Sequence, residues 1–177
     1  MKKSAGILVY RKKNNKIEIL LVHPGGPYWQ NKDENCWSIP KGEITEKRGL
    51  TQITTQIYAD KTNYNQRESA SIKETAVREF EEETGLKLNK EDRENLKYLG
   101  EAKSKNKILY VFVLEKDFGD DWEVKSNLIE IEWPPRSGKM IKIPEVDKAG
   151  YFDLEIARKK LVNYQKEIVE IIKKFQS

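Results

Sequence analysis

The stretch that most constrains this chain is Arg78-Glu79-Phe80-Glu81-Glu82-Glu83-Thr84-Gly85-Leu86. On a helix, Glu79, Glu82 and Glu83 fall at i, i+3 and i+4, so their carboxylates share one face. Charges this close repel one another. A hard divalent cation relieves the repulsion, because Mg²⁺ takes oxygen ligands and keeps waters or substrate phosphates as the remainder. Mn²⁺ accepts the same oxygen ligands. Arg78 stands one turn before Glu81 and Glu82, where a charge-assisted bond can brace a carboxylate. The spacing predicts a helix from about Ser71 to Thr84. Ser71 and Glu74 form a capping box at its start, and Gly85 is a left-handed cap at its end. From these residues alone, a solvated acidic face remains the alternative.

The rest of the chain supplies elements to pack around that helix. Ala5–Tyr10 reads as a buried strand, Lys12–Lys16 as a polar turn and Ile17–Val22 as the returning strand. Trp37-Ser38-Ile39-Pro40 is a short extended piece leading to Lys41-Gly42-Glu43. Residues 45–67 are rich in Thr, Gln, Asn and Lys and read as a polar surface insertion. Further strands are expected at Leu96–Leu99, Lys107–Leu114 and Leu128–Trp133, the last stopped by Pro134-Pro135. From Asp153 onward Ala157, Leu161, Tyr164, Ile168, Ile172 and Phe175 step by three or four, as the core stripe of one amphipathic helix does. Strands and helices mixed in this order point to an α/β sandwich with a mixed sheet, a single domain over residues 1–177.

Composition removes several function classes. The net charge of +4 comes from 33 basic and 29 acidic residues that are interspersed, so no nucleic-acid partner is demanded. The single cysteine, Cys36, excludes an internal disulfide. With His23 as the only histidine, neither a zinc site nor a Cys–His nucleophile can be assembled from recognisable parts, and Cys36 is expected to be structural. The apolar run Ser4–Tyr10 is too short for a signal peptide or a membrane span, so a cytoplasmic protein without a membrane partner is expected. Oligomeric state has no sequence signal.

Arg78–Leu86 matches without a gap the second half of the Nudix box, Arg-Glu-apolar-x-Glu-Glu-x-Gly-apolar, and Trp37–Glu43 resembles the segment that opens it. Ser4–Tyr10, Leu21–Pro27 and Glu132–Lys139 look like one bacterial branch of predicted nucleotide pyrophosphohydrolases. The resemblance implies a Nudix-type α/β/α sandwich and Mg²⁺-dependent hydrolysis of a phosphoanhydride bond in a nucleoside diphosphate linked to another group. Dinucleoside polyphosphates, nucleoside triphosphates, sugar nucleotides and the 5′ end of RNA are all open as substrates. By the same resemblance Glu79, Glu82 and Glu83 are metal ligands, with Glu82, Glu83 and Arg78 in the catalytic group. Pro144-Glu145-Val146-Asp147 is similar to the Pro-Glu-Phe element of Nudix RNA pyrophosphohydrolases and dinucleoside tetraphosphate hydrolases. That similarity makes Glu145 a further ligand or general base, with Glu130 and Glu132 as rivals. Lys41 sits in a Pro-Lys-Gly element near the metal loop, and Arg136 and Lys139 flank a Ser-Gly turn. All three are candidates for phosphate contacts. Tyr28, Trp29 and Trp133 are candidates for stacking on a base.

The chain departs from the family pattern between Gly42 and Arg78, which lie about 22 residues further apart than the family spacing. Counting back eight from Arg78 gives Ala70 where the box has its first Glu; the nearest acid is Glu68. An insertion beside the metal helix is placed to act as a lid or substrate-size filter. The altered half of the box keeps open a non-catalytic nucleotide-binding module. A basic RNA-binding domain is a third reading, though no signature of a recognised RNA module is present.

Overall fold

The computed structural model describes residues 1–44 and 61–175, with the backbone alone for 61–69. In chain order the elements are β1 (Lys2–Lys13), β2 (Lys16–Pro24), β3 (Lys41–Glu43), α1 (Lys61–Thr84), α2 (Lys90–Asn95), β4 (Lys97–Ser104) and β5 (Lys107–Glu115). There follow β6 (Leu128–Glu132), β7 (Met140–Pro144), β8 (Val146–Asp153), α3 (Leu154–Lys160), a 3₁₀ turn (Asn163–Gln165) and α4 (Glu167–Phe175).

β1 organises the sheet. It pairs with β2 only through Tyr10–Lys13, across a tight turn in which Asn14 and Asn15 take the positive φ values that Asn tolerates. Farther from the turn the two strands part, and residues 37–43 fill the fork. Ser38 bridges to Val22, and β3 pairs antiparallel with Ser4–Gly6. On its other edge β1 runs parallel to β5, with Lys2 opposite Lys107. The strand order is β4-β5-β1-β2-β8 with β3 beside β1, a mixed sheet as expected. β6 and β7 form a separate two-stranded ribbon.

Helices cover both faces of the sheet. Alternation along β1 sends Ile7 and Val9 toward Ala76, Val77 and Phe80 of α1, and Leu8 and Tyr10 toward Leu161, Ile168 and Ile172. Double coverage explains why the apolar run of β1 is nearly unbroken. Phe80, wholly buried between the sheet and Phe118, fixes the rotation of α1. Losing such a ring costs about 3–5 kcal/mol, far more than any surface charge on the helix returns.

Two expectations need correction, and three elements come without one. The helix does not begin at Ser71: α1 starts at Lys61, so part of the polar segment is helical, and Ser71 is internal, its carbonyl accepting from Thr75. Residues 61–70 contain neither Gly nor Pro, so nothing in them stops helix propagation. At the other end Gly85 has φ +76° and closes the helix as expected. Second, the C-terminal stripe is not one helix. Asp153 caps α3 through the Ile156 amide, but the chain then extends at Leu161 and pairs with Trp37, whose amide donates to Lys160 and whose carbonyl accepts from Val162. Ala157, Leu161, Ile168 and Ile172 are buried as the stripe predicts, while Tyr164 is partly buried and Phe175 is exposed. The elements without an expectation from the sequence are α2, β7 and β8, although Asn89 and Asp92 form a capping box for α2.

The break after α3 leaves Gln165 fully buried, its side-chain oxygen accepting from the Ile39 amide at 3.0 Å and its nitrogen donating to Tyr164. Gln165→Leu is expected to cost about 1–3 kcal/mol, the penalty for stranding the Ile39 amide. Urea unfolding would read this as a lower midpoint at unchanged slope.

Candidate active site

A cavity of about 560 Å³ opens where α1, β3, the start of β1 and the β7–β8 junction meet. Glu79, Glu83 and Glu145 line it together with Lys41, Lys2 and Lys107. Two of the three carboxylates on the acidic helix face, Glu79 and Glu83, therefore point inward. The approach of this face to β3 is close: with Glu79 in this position a Cβ on Gly42 would lie 1.8 Å from the Glu79 carboxyl carbon.

Glu83 is 5% exposed, and one carboxylate oxygen accepts from the Lys41 amide at 2.9 Å. Burial pushes its carboxyl up to about 8, even though the Lys41 ammonium and that amide favour the charged form; Glu145 and Glu79 add repulsion. Burial likewise raises the Glu79 carboxyl, opposed by Arg78 and reinforced by Glu82 and Glu145. Glu79 and Glu83 thus each feel Glu145, which arrives from a distant part of the chain. Backbone bonds hold it there. Its amide donates to Asn127 at 2.9 Å and its carbonyl accepts from Gly25 at 3.0 Å. The Ser126 hydroxyl secures the next residue, accepting from the Val146 amide and donating to its carbonyl.

Arg78 donates to both Glu79 and Glu82, the latter at 2.8 Å. Glu82 is not among the cavity-lining residues and joins the cluster through Arg78. Glu81, between them in sequence, has a different use. It accepts from the Leu88 amide, Arg93 and Lys87, tying the end of α1 to the start of α2.

Among the described residues, no three His, Cys, Asp or Glu side chains converge into a ready-made metal site. Arg78 gives the local reason, since it engages the Glu79 and Glu82 carboxylates. The donor chemistry nevertheless fits a hard divalent cation. The groups facing the cavity are carboxylate oxygens, and burial opposes the ionisation of Glu79 and Glu83, a penalty that a cation relieves.

Other candidates lie elsewhere. Arg136 and Lys139 are exposed at the tip of the β6–β7 ribbon, outside the cavity lining. Glu130 faces Lys142 at 3.8 Å on that ribbon, and Glu132 accepts from the Gly138 amide. Tyr28 is 55% exposed, with the Lys32 ammonium 3.3 Å above its ring and Trp29 edge-on beside it; neither aromatic lines the cavity, nor does Trp133. Cys36 is buried, and burial pushes its thiol up, away from the reactive thiolate. His23 is buried between Asp147 (2.6 Å) and the Lys32 carbonyl (2.9 Å). The lid expectation falls largely on residues 45–60, outside the described residues. No helix among the described residues is long and apolar enough to cross a membrane.

Lys2, Ser4, Glu43, Lys107 and Tyr164 also line the cavity, and none of them is a site candidate from the sequence. Lys2 and Lys107 meet through the parallel pairing of β1 with β5, a register that no local pattern announces.

A family model described as the NUDIX domain matches residues 1–170. No curated protein sequence gives a significant match. Among solved structures, the chain is similar to an Ap4A hydrolase from C. elegans in a binary complex, with 20% identity and a TM-score of 0.54, covering 99% of this chain and 96% of that one. It is similar to a NUDIX hydrolase from Alicyclobacillus acidocaldarius, with 13% identity and a TM-score of 0.58 over 96% and 90% of the two chains. A MutT protein from Methanosarcina mazei Go1 gives 17% identity and a TM-score of 0.54 over 99% and 96%. At these identities the likeness to solved structures concerns the fold.

Proposed function

The chain belongs to the Nudix family of pyrophosphohydrolases, and from that premise we propose that it cleaves, with Mg²⁺, a phosphoanhydride bond in a nucleoside diphosphate linked to a further group. The observation that carries this reading is the meeting of Glu145 with Glu79 and Glu83 in one cavity that also holds Lys41. Carboxylates from separate segments, half-buried or buried and facing a cation, form an arrangement that a solvated acidic face has no cause to produce.

Glu79, Glu82, Glu83 and Glu145 would hold the metal, which when bound supplies an activated water and offsets charge on the leaving phosphate. Arg78 braces Glu79 and Glu82 at the spacing set by the helix, limiting the rotamers they must lose on ligation. Lys41 supplies a positive charge beside Glu83 for a substrate phosphate. Glu145 is the candidate to take the proton of the attacking water, since its anchor is backbone and independent of α1. The resemblance around Pro144-Glu145-Val146-Asp147 favours dinucleoside polyphosphates or RNA 5′ ends within this class. The alternative, a non-catalytic nucleotide-binding module, is motivated by Ala70, where the family pattern has a glutamate.

The test is incubation with Mg²⁺ or Mn²⁺ and a panel of nucleoside triphosphates, diadenosine polyphosphates, ADP-ribose, a sugar nucleotide and 5′-triphosphate RNA. Products are resolved by anion exchange, with Glu82→Gln and Glu83→Gln as controls. Cleavage of a panel member by wild type alone is expected. Binding without turnover under both metals would give the site to the binding module, and turnover equal to wild type in both variants would remove the acidic cluster from the chemistry.

A further inference from the structure

The cavity has two ends of opposite charge. Glu79, Glu83 and Glu145 form one, and Lys2 and Lys107 the other. Lys41 lies between them, acting on Glu83 at the acidic end and on Glu43 toward the basic end. The sheet sets the spacing. Gly42, against Glu79, is opposite Ala5, and Glu43 is opposite Ser4. Lys2 lies two residues farther along β1, roughly 7 Å at the rise of a strand, and on the same face as Ser4. Lys107 is its register partner on β5. The cavity that holds the acidic group is therefore lined by these two lysines as well.

Glu43 already sits on that cationic end. Its carboxylate bonds the Lys2 ammonium at 2.8 Å, and Lys2, with Lys107 and Lys41 behind it, holds its carboxyl below the usual carboxylate range. Both partners of this bond are largely exposed to water. Such a pair contributes little and is readily exchanged. A phosphate offers these ammonium groups more charge and more acceptor oxygens than one carboxylate does.

We propose that the Lys2–Lys107 end of the cavity takes the distal phosphates of a substrate carrying three or more phosphates in a row, and that Glu43 holds this place until the phosphate displaces it. The inference rests on the assignment of the acidic end to the scissile diphosphate. It directs that assignment toward nucleoside triphosphates and longer dinucleoside polyphosphates, and away from ADP-ribose and sugar nucleotides. A two-phosphate ligand is satisfied at the acidic end, whereas a longer chain reaches the lysines.

The test uses inorganic pyrophosphate and tripolyphosphate as probes, titrated calorimetrically into the full chain with Mg²⁺ in excess. Removing two cations in Lys2→Ala/Lys107→Ala is expected to lower the preference for tripolyphosphate over pyrophosphate about tenfold, and Glu43→Gln to raise tripolyphosphate affinity about threefold. These side chains are exposed, so melting curves should stay at the wild-type position. A lysine variant with the wild-type preference, or an equal loss for both anions, would overturn the inference while leaving the acidic end untouched. Wild type binding neither anion would overturn both assignments. Unchanged tripolyphosphate affinity in Glu43→Gln would overturn the displacement of Glu43.

Discussion

Replacing Glu83 with glutamine is expected to lower kcat/KM by about 10²–10⁴-fold while making the metal-free protein more stable above neutral pH. Glutamine keeps an oxygen to accept from the Lys41 amide, so the fold loses little. What disappears is the negative charge that a cation would need. The stability gain follows from the direction of the shift. Glu83 has an ordinary value of 4.5 and is pushed up to about 8 by burial in the folded protein. Below about 4.5 both folded and unfolded chains hold its proton; between there and about 8 only the folded chain does. The stabilising contribution is therefore complete at low pH and is lost as pH rises through about 8. Scanning calorimetry with a chelator should show the wild-type Tm falling across that window more steeply than that of Glu83→Gln. Added Mg²⁺ should flatten the wild-type profile, because ligation stabilises the charged carboxylate. Parallel profiles for the two proteins would refute the assignment of Glu83 as a carboxylate held neutral by its surroundings.

The second large effect comes from a residue with no functional group. Gly42→Ala would bring a methyl within 1.8 Å of the Glu79 carboxyl carbon and within 2.0 and 2.3 Å of its oxygens. The obstructed atoms are the end of a flexible side chain, so the fold can accommodate the methyl by turning Glu79 away. Stability should change by no more than about 1 kcal/mol. Activity should fall about a hundredfold, the usual consequence of misplacing a site group by an ångström. Chemical denaturation paired with steady-state kinetics separates the two. A variant with the wild-type rate would mean that the position of Glu79 is not critical. One that fails to fold would mean that β3 cannot yield as its exposed end implies.

Much of the site was legible locally because its core lies on one helix. The periodicity of Glu79, Glu82 and Glu83 places three carboxylates on a face whatever the rest of the chain does, and Gly85 ends that helix for a reason internal to its own backbone. Which of these glutamates enters the cavity was not legible. Phe80 sets the rotation of α1 against the sheet, so Glu79 and Glu83 line the cavity while Glu82 stays with Arg78 and Glu81 turns to α2. Ala70 cannot be weighed from position alone, since the helix that carries it extends back to Lys61. The C-terminal stripe identified the buried residues but not the break after Lys160, which depends on Trp37, far earlier in the chain.

The sequence by itself determined the acidic helix face, its glycine stop, the buried first strand and the α/β class with a mixed sheet. Each follows from propensity and periodicity among near neighbours, whose interactions are set before the chain folds back on itself. Only the tertiary structure decided that Glu145 joins Glu79 and Glu83, that a side chain on Gly42 would displace Glu79, and that Lys2 and Lys107 stand together in the same cavity. Those facts depend on strand register and on which face meets which. Both are fixed by packing between residues far apart in the chain.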